Sequence, residues 1–477
     1  MSRRAGVSLA IAALAGVALA WLAPDSYQQD AGHHFLAARW AWRYPQTLVG
    51  VWNRPLFTLL YSAPALFGYP AAKLFTLALA LVTADQTRRL ARDLGVARAW
   101  LAVALLFLQP AYFLIIADTM TEPLFALVFV VALRLDAAGR REWSALVASL
   151  LVTVRPEGFF LGLLWAFWMI GDRGAGARVG APAPAGRRAI RTLLLATGGA
   201  AWWVAALALT GDPLFIRHNW PGNWGLDATY GVGPVWIYVA RLPEIAGLLL
   251  LVPFLAGLGR SLRERRYPAL TAPVLVLFVV HTVLRVTGWF GSAGYARYFV
   301  CVSPAIALLT LVGWNDFGAR LLVARPTWRV RLGRLVLAAS AVVCVLYADM
   351  AGFYGRDARA IADMTHWFDD HPRPVARFIW SQAYMDVLFD RDPSDHPQMY
   401  ADHARNMEIL RAFPPGTLVF WDADIGRAWY QLTADDIQRA GYVRLLARSY
   451  RLDGWLHEGR LFPWSIRSQQ LFLFYKP

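Results

Sequence analysis

Charge, lysine and cysteine are all scarce in this 477-residue chain, and each scarcity excludes something. Charged residues make up 17% of the sequence against 57% hydrophobic ones, and the mean hydropathy is +0.39. A soluble domain carries about 25% charge, so the chain does not read as a set of soluble cores. The only cysteines, Cys301 and Cys344, both fall within apolar blocks. They read as small buried hydrophobes rather than a disulfide framework. Two lysines, Lys73 and Lys476, leave almost all positive charge to arginine, a bias of genome composition with no mechanistic content. There is no Walker A sequence, G-x-G-x-x-G, H-E-x-x-H or Cys/His metal spacing. His33-His34 is the only histidine pair, and adjacent residues on a helix do not converge on one ion. No internal repeat appears, and the one biased stretch, the Gly/Ala/Pro/Arg segment 174–188, reads as a flexible linker.

What is present is a series of apolar blocks of roughly 18 to 25 residues, long enough to cross a hydrocarbon layer about 30 Å thick. About eleven spans are predicted, near 5–23, 70–87, 97–116, 119–135, 143–154, 157–171, 190–210, 235–259, 269–289, 297–314 and 334–351. Twenty-two Trp and eighteen Tyr suit two membrane interfaces. The net charge of +15 does not indicate nucleic acid, because six segments between apolar blocks hold 23 arginines against seven acids. A nucleic-acid protein would gather that charge on one folded domain. Alternation of the spans puts all six segments on one side, as the positive-inside rule requires. The N-terminus is then cytoplasmic, and an odd number of spans sends the C-terminus outward. The start, Ser2-Arg3-Arg4 before an apolar run, also fits a cleaved signal peptide, but an uncleaved first helix is simpler. The chain thus divides into a membrane domain, 1–352, with an outer loop at 24–69, and an extracytoplasmic α/β domain, 353–477. The latter holds 15 basic and 16 acidic residues and strand-like runs at Thr417–Trp421 and Leu471–Tyr475.

Candidate chemistry gathers on the outer side. The first outer loop opens Pro24-Asp25-Ser26-Tyr27-Gln28-Gln29-Asp30-Ala31-Gly32-His33-His34, and amphipathic helices follow at 31–42 and 55–66. A carboxylate there, Asp30 first and Asp25 second, is placed to accept a proton from a hydroxyl; the plainer alternative is that each caps a helix. Asp118 and Glu122 stand four apart and share a face if the helix has begun. The charged hairpin Arg155-Pro156-Glu157-Gly158 interrupts two short spans, which the membrane tolerates only where it lines a protein cavity. Arg297, beside Tyr298, begins a span, with His281 and Arg285 in the span before. Arg155 and Arg297 are phosphate clamps by chemistry, or else ion-pair partners of Glu122 and Glu157. In the loop 211–234, His218, Trp220 and Trp224 offer a sugar platform or an interface anchor. Asp422-Ala423-Asp424 is similar to the metal–nucleotide motif of soluble glycosyltransferases, but it sits in a domain too small for that fold, on the side lacking nucleotide sugars.

The order of these motifs resembles the membrane-embedded GT-C glycosyltransferases, specifically bacterial members related to protein mannosyltransferases and aminoarabinose lipid A transferases. The resemblance runs over residues 1–350. It rests on Asp30-Ala31-Gly32-His33-His34, Asn53-Arg54-Pro55-Leu56-Phe57, Thr87-Arg88-Arg89-Leu90-Ala91-Arg92, Thr121-Glu122-Pro123-Leu124, the Arg155 hairpin and Tyr295-Ala296-Arg297-Tyr298. It implies an all-α polytopic fold and a sugar donor on polyprenyl phosphate, with a lipid, glycan or protein acceptor. It implies Asp30, or Asp25, as the base. His33, His34, Arg54, Asp118, Glu122, Arg155, Glu157, His218, Arg297 and Tyr298 would line the substrate site. Ala31 stands where the family carries the second acid of an Asp-Glu pair. A divalent metal is usually dispensable for such donors, and nothing in the sequence demands a cofactor. The location implied is the bacterial inner membrane. The alternatives are a transporter or flippase of lipid-linked sugars, and a non-catalytic membrane assembly protein.

Overall fold

The structure is a computed structural model that describes residues 3–22, 28–172, 183–221, 231–321, 326–350, 356–380, 383–392, 399, 402–452 and 467–477. Asp25, Trp224 and most of the 174–188 linker lie outside the described residues. The chain divides into two compact units, Met1–Trp21 with Ala37–Ala348, and Leu22–Leu36 with Asp349–Pro477.

The first unit is helical. It opens with α1 (Arg3–Leu22), the end of α2 (Gln28–Arg39), α3 (Pro55–Ala65) and α4 (Tyr69–Asp93). The two loop helices, α2 and α3, fall close to their expected ranges. Pro55 and Pro70 sit in first turns, where a missing amide hydrogen costs nothing. Next come α5 (Leu101–Phe107), α6 (Pro110–Ile115), α7 (Thr121–Ala137), α8 (Arg141–Ser149) and α9 (Glu157–Ile170). They are followed by α10 (Ala185–Leu194), α11 (Thr197–Thr210), α12 (Phe215–His218) and α13 (Ile237–Ala240). The last are α14 (Leu251–Arg263), α15 (Pro268–Thr287), α16 (Ser303–Leu321) and α17 (Pro326–Met350).

Several expected spans are broken helices. Pro110 divides 97–116, and Pro243 opens a five-residue π-turn, Pro243–Gly247, that divides 235–259. Both breaks follow from a ring that removes a backbone donor and crowds the preceding turn. Among the described residues, four helices are long and apolar enough to cross a membrane, at Arg3–Trp21, Pro268–Thr287, Ala296–Asp316 and Val330–Tyr347. The pair α10–α11, bent by 42°, makes a fifth if it counts as one span.

Several arginines of the arginine-rich segments pair with acids on neighbouring helices. Arg134 reaches Asp93 at 3.0 Å and Gln86 at 2.5 Å, joining the ends of α7 and α4. Arg187 and Arg191 bind Glu142 at 2.6 and 3.1 Å, beside Arg141, which pairs with Asp172. Asn315 near the end of α16 donates to the carbonyl of Ala97 at 2.8 Å. Ends of α4, α7, α8, α10 and α16 are therefore tied to one another through their charged and polar side chains.

In the second unit, a four-stranded sheet has the order β1-β2-β4-β3, with β1 (Arg377–Trp380), β2 (Thr417–Asp422), β3 (Val443–Leu452) and β4 (Arg467–Tyr475). β1 runs parallel to β2; the other pairs are antiparallel. Every residue of β2 is buried, as a strand covered on both faces must be. Val419 and Trp421 meet Leu410 of α20 (His403–Ala412) and Ile437 of α22 (Ala434–Arg439). Leu418 and Phe420 meet Ile361 of α18 (Arg356–Asp370) and Met385 of α19 (Ala383–Phe389) on the other face. Asp422 accepts the amide of Ile425 at the start of α21 (Ala423–Tyr430), a helix-capping role rather than a metal-binding one.

Close packing in the first unit depends on glycines. A Cβ on Gly257 would lie 1.9 Å from the carbonyl oxygen of Leu309, and one on Gly313 would lie 1.9 Å from that of Pro253. α14 and α16 thus touch backbone to backbone, the small-residue contact that holds helices together in lipid. Gly257→Leu should lower the thermal midpoint of the detergent-solubilised protein, an overpacking cost of about 1–3 kcal/mol. Gly259→Leu, where no atom lies within 4 Å, should leave the midpoint unchanged; equal losses would refute the contact.

Candidate functional site

The site is organised by a charged hairpin. A short 3-10 turn, Leu150–Thr153, ends before Arg155, and α9 begins at Glu157. The turn packs directly on Gly158, where a Cβ would lie 2.2 Å from the carbonyl carbon of Leu151. Only glycine permits that approach, and it brings the Arg155 side chain back over the mouth of its own helix.

Arg155 then binds on three sides. Its Nε and Nη2 donate to the two oxygens of Glu157 at 3.1 and 2.8 Å, a bidentate pair. Its Nη1 donates to Thr121 Oγ1 at 2.7 Å and lies 3.0 Å from Glu122 Oε1. Glu122 is fully buried in the first turn of α7, and Glu157 is 5% exposed. The carboxylates therefore come from two different helices and share one cation. Glu122 also faces Arg297, whose Nε lies 3.8 Å away and whose Nη1 reaches Met120 Sδ at 3.6 Å. His281 Nε2 stands 3.6 Å from Glu157, and the imidazole stacks on Tyr298 at 4.9 Å. The Tyr298 ring also receives the guanidinium groups of Arg155 at 5.9 Å and Arg297 at 6.0 Å.

Arg54 joins from the outer loop. It is buried, in electrostatic range of Glu157 and Arg155, with its guanidinium 5.5 Å from the centre of the Trp202 ring. Its φ of +67° is left-handed in a bulky residue preceding proline, a strain that surrounding contacts must hold. Asp118 precedes α7 rather than lying on it, so the shared helical face with Glu122 does not form. Asp118 instead accepts from Tyr69 Oη at 2.5 Å and from the amide of Thr119 at 2.8 Å. Arg297 lies in a 3-10 turn, Ala296–Val302, ahead of α16.

Sequence reasoning missed Lys73. It is 3% exposed in the first turns of α4, with its Nζ 5.4 Å from the Tyr69 ring centre. A lysine that is nearly unique in its chain and enters an apolar span was the available signal, since charges there are costly unless used. A second buried group was also missed: Arg241 lies 3.4 Å from Glu244 in the π-turn, and Tyr347 donates to Glu244 at 2.8 Å. Two opposite charges three residues apart inside an apolar block were the sign of it.

Other expected residues stand elsewhere. Asp30, His33 and His34 lie on α2 in the part that belongs to the second unit; Asp30 is half-buried, His33 exposed and His34 buried. His218 is exposed and pairs with Asp212 at 2.8 Å, and its imidazole holds the Asp212 carboxyl below the ordinary range. Arg285 donates to the carbonyls of Gly231 and Ser292, both at 2.9 Å, and so clips the segments around these residues together. Among the described residues, no group of three or more His, Cys, Asp or Glu is placed to hold a metal ion.

No protein-family model matches this chain, and no curated protein matches it. Among solved structures, the crystal structure of ArnT from Cupriavidus metallidurans bound to undecaprenyl phosphate matches with a TM-score of 0.61 at 13% identity, covering 98% of this chain and 97% of that one. This chain has the GT-C fold. The apo state of the same ArnT gives 0.60 at 14% identity with the same coverage. A cryo-EM structure of the mycobacterial arabinofuranosyltransferase AftD gives 0.47 at 14% identity, covering all of this chain and 42% of that one. The GT-C likeness is one of fold, and it extends past the membrane helices into the second unit.

Within this chain, Arg155 should matter to stability more than its partners do. Arg155→Ala strands two buried carboxylates, and breaking a buried pair in this way costs about 3–5 kcal/mol. Glu157→Gln leaves Arg155 with Glu122 and should cost less. Thermal unfolding in detergent checks the order; a reversed order would show that Arg155 is not the common partner.

Proposed function

We propose that the protein is an inverting glycosyltransferase that moves a sugar from a polyprenyl-phosphate donor to an acceptor hydroxyl at the extracytoplasmic face of the bacterial inner membrane. The observation that carries this is the match over nearly the full length of both chains to ArnT, whose crystal structure holds undecaprenyl phosphate. The buried arginines at the mouths of apolar helices and the buried lysine inside one support it, because an anionic headgroup is one reason to keep such cations there. The proposal takes in the eleven-span topology, with the N-terminus cytoplasmic and the C-terminal unit extracytoplasmic.

In the reaction, the acceptor O–H proton passes to the Asp30 carboxylate while the oxygen attacks C1 of the sugar. The C1–O bond to phosphate breaks, and polyprenyl phosphate departs with the electron pair. Lys73, Arg54 and Arg297 receive the phosphate charge. Arg155, shared by two glutamates, positions the wall of the site. His33, His34, Asp118 and Tyr298 contact the substrates, and His218 lies on the outer loop nearby in sequence to the tryptophans that offer a sugar platform.

The test is turnover of a polyprenyl-phosphate sugar by the purified full-length protein. Asp30→Asn should lower turnover by about 10²- to 10⁴-fold, the range for loss of a general base, and leave the thermal midpoint unchanged. Full activity in that variant would remove Asp30 from the mechanism. Lys73→Gln should raise KM for the donor more than it lowers kcat. A flippase would instead move the labelled lipid between leaflets without cleaving the sugar–phosphate bond.

A further inference from the structure

We infer that the arginine-rich end of the first unit carries a separate binding site for a phosphate group. The site is a cavity of about 170 Å³ between the turn after α4, the end of α14 and the last turns of α16. Its origin lies in the packing. α14 and α16 touch backbone to backbone at Gly257 and Gly313; one turn further along, Ser261 and Asp316 replace the glycines and the helices are held apart. The opening is closed at the side by Gly95–Ala97, where Asn315 is hydrogen-bonded to Ala97.

The lining is polar and unevenly satisfied. Both carboxylates that reach the cavity, Glu264 and Asp316, are bound to one guanidinium, that of Arg260. That leaves Arg266 at the rim. It lies over the Tyr267 ring at 5.1 Å, and among the described residues no carboxylate comes within ion-pair distance of it. Ser261 is 2% exposed, and its hydroxyl has no hydrogen-bond partner among the described residues. A buried hydroxyl without a partner is costly, and this one lines a cavity. The surplus chemistry is therefore one hydroxyl donor and one guanidinium, a pair suited to a phosphate oxygen, beside Asn315 Oδ1, a buried acceptor that also has no partner among the described residues. The backbone of the rim is left-handed on both sides of Arg266, at Arg265 (φ +50°) and Tyr267 (φ +55°). With the arginine end at the cytoplasmic surface, the source at hand is an anionic lipid headgroup of the inner leaflet; a free phosphate in solution offers the same chemistry.

The experiment follows the thermal midpoint of the full-length protein in a neutral detergent. Dihexanoyl phosphatidylglycerol, dihexanoylglycerol and inorganic phosphate are titrated separately. Phosphatidylglycerol should raise the midpoint, and dihexanoylglycerol, which lacks the phosphate, should not. Arg266→Gln should raise the concentration for half effect about tenfold, the size expected for one charge-assisted hydrogen bond. Ser261→Ala should raise it several-fold, and Arg263→Gln, in the same turn but outside the cavity lining, should not change it. If inorganic phosphate alone reproduces the effect with the same response to Arg266→Gln, the ligand is a free phosphate rather than a lipid. An equal response to dihexanoylglycerol overturns the inference. So does a phosphatidylglycerol titration unaltered in both Arg266→Gln and Ser261→Ala.

Discussion

Much of one end of the first unit depends on one cation, Arg155, shared between two buried carboxylates. A lone carboxylate in an apolar bundle loses its hydration and must be repaid by a partner with good geometry. Glu157 is satisfied bidentately from two residues away, and Glu122, on a different helix, lies within ion-pair distance of the same guanidinium. The shared guanidinium therefore fixes the start of α9 against the start of α7. The Tyr298 ring lies against Arg155, Arg297 and His281, so the turn before α16 is placed by the same group. The hairpin can be this tight only because Gly158 lets the preceding turn lie against the helix.

This arrangement was partly legible in the sequence. Positive charge falls between apolar blocks, and contacts such as Arg134 with Asp93 and Asn315 with Ala97 join those blocks at their ends. The hairpin was visible because Arg155-Pro156-Glu157-Gly158 places charge and helix breakers together. Arg155 lies within ion-pair distance of Glu122 and Glu157, one of the two roles its chemistry offers. In the second unit, β2 and β4 were visible as apolar runs, whereas β1 is four residues long and β3 spaces its three arginines four and three residues apart. Short runs and runs without a period of two give weak strand signals.

What was not legible followed from rules applied one residue at a time. Lysine scarcity was treated as composition, yet the site of the lysine was the informative part: Lys73 is buried near the mouth of a helix. Likewise the apolar block 235–259 read as one helix, because a hydropathy pattern registers length rather than hydrogen bonding. Pro243 opens a π-turn there, and Gly247, at φ +98°, lets the backbone approach the carbonyl of Leu108. π-turns of this kind recur at functional positions, and this one carries the buried Glu244 that Tyr347 of α17 holds.

Charge balance decides which cations can serve an anion. Arg155 and Arg297 against Glu122 and Glu157 sum to zero, so the hairpin cluster alone offers no net attraction to a phosphate. Arg54 lies in range of Glu157 and Arg155. Lys73 is set against Asp118 through Tyr69, which bonds the carboxylate and faces the ammonium. Buried charges act strongly on one another in a low-dielectric surrounding, so the positions of Lys73 on α4 and of Arg54 at the start of α3 shape the field beside the residues that Arg155 holds.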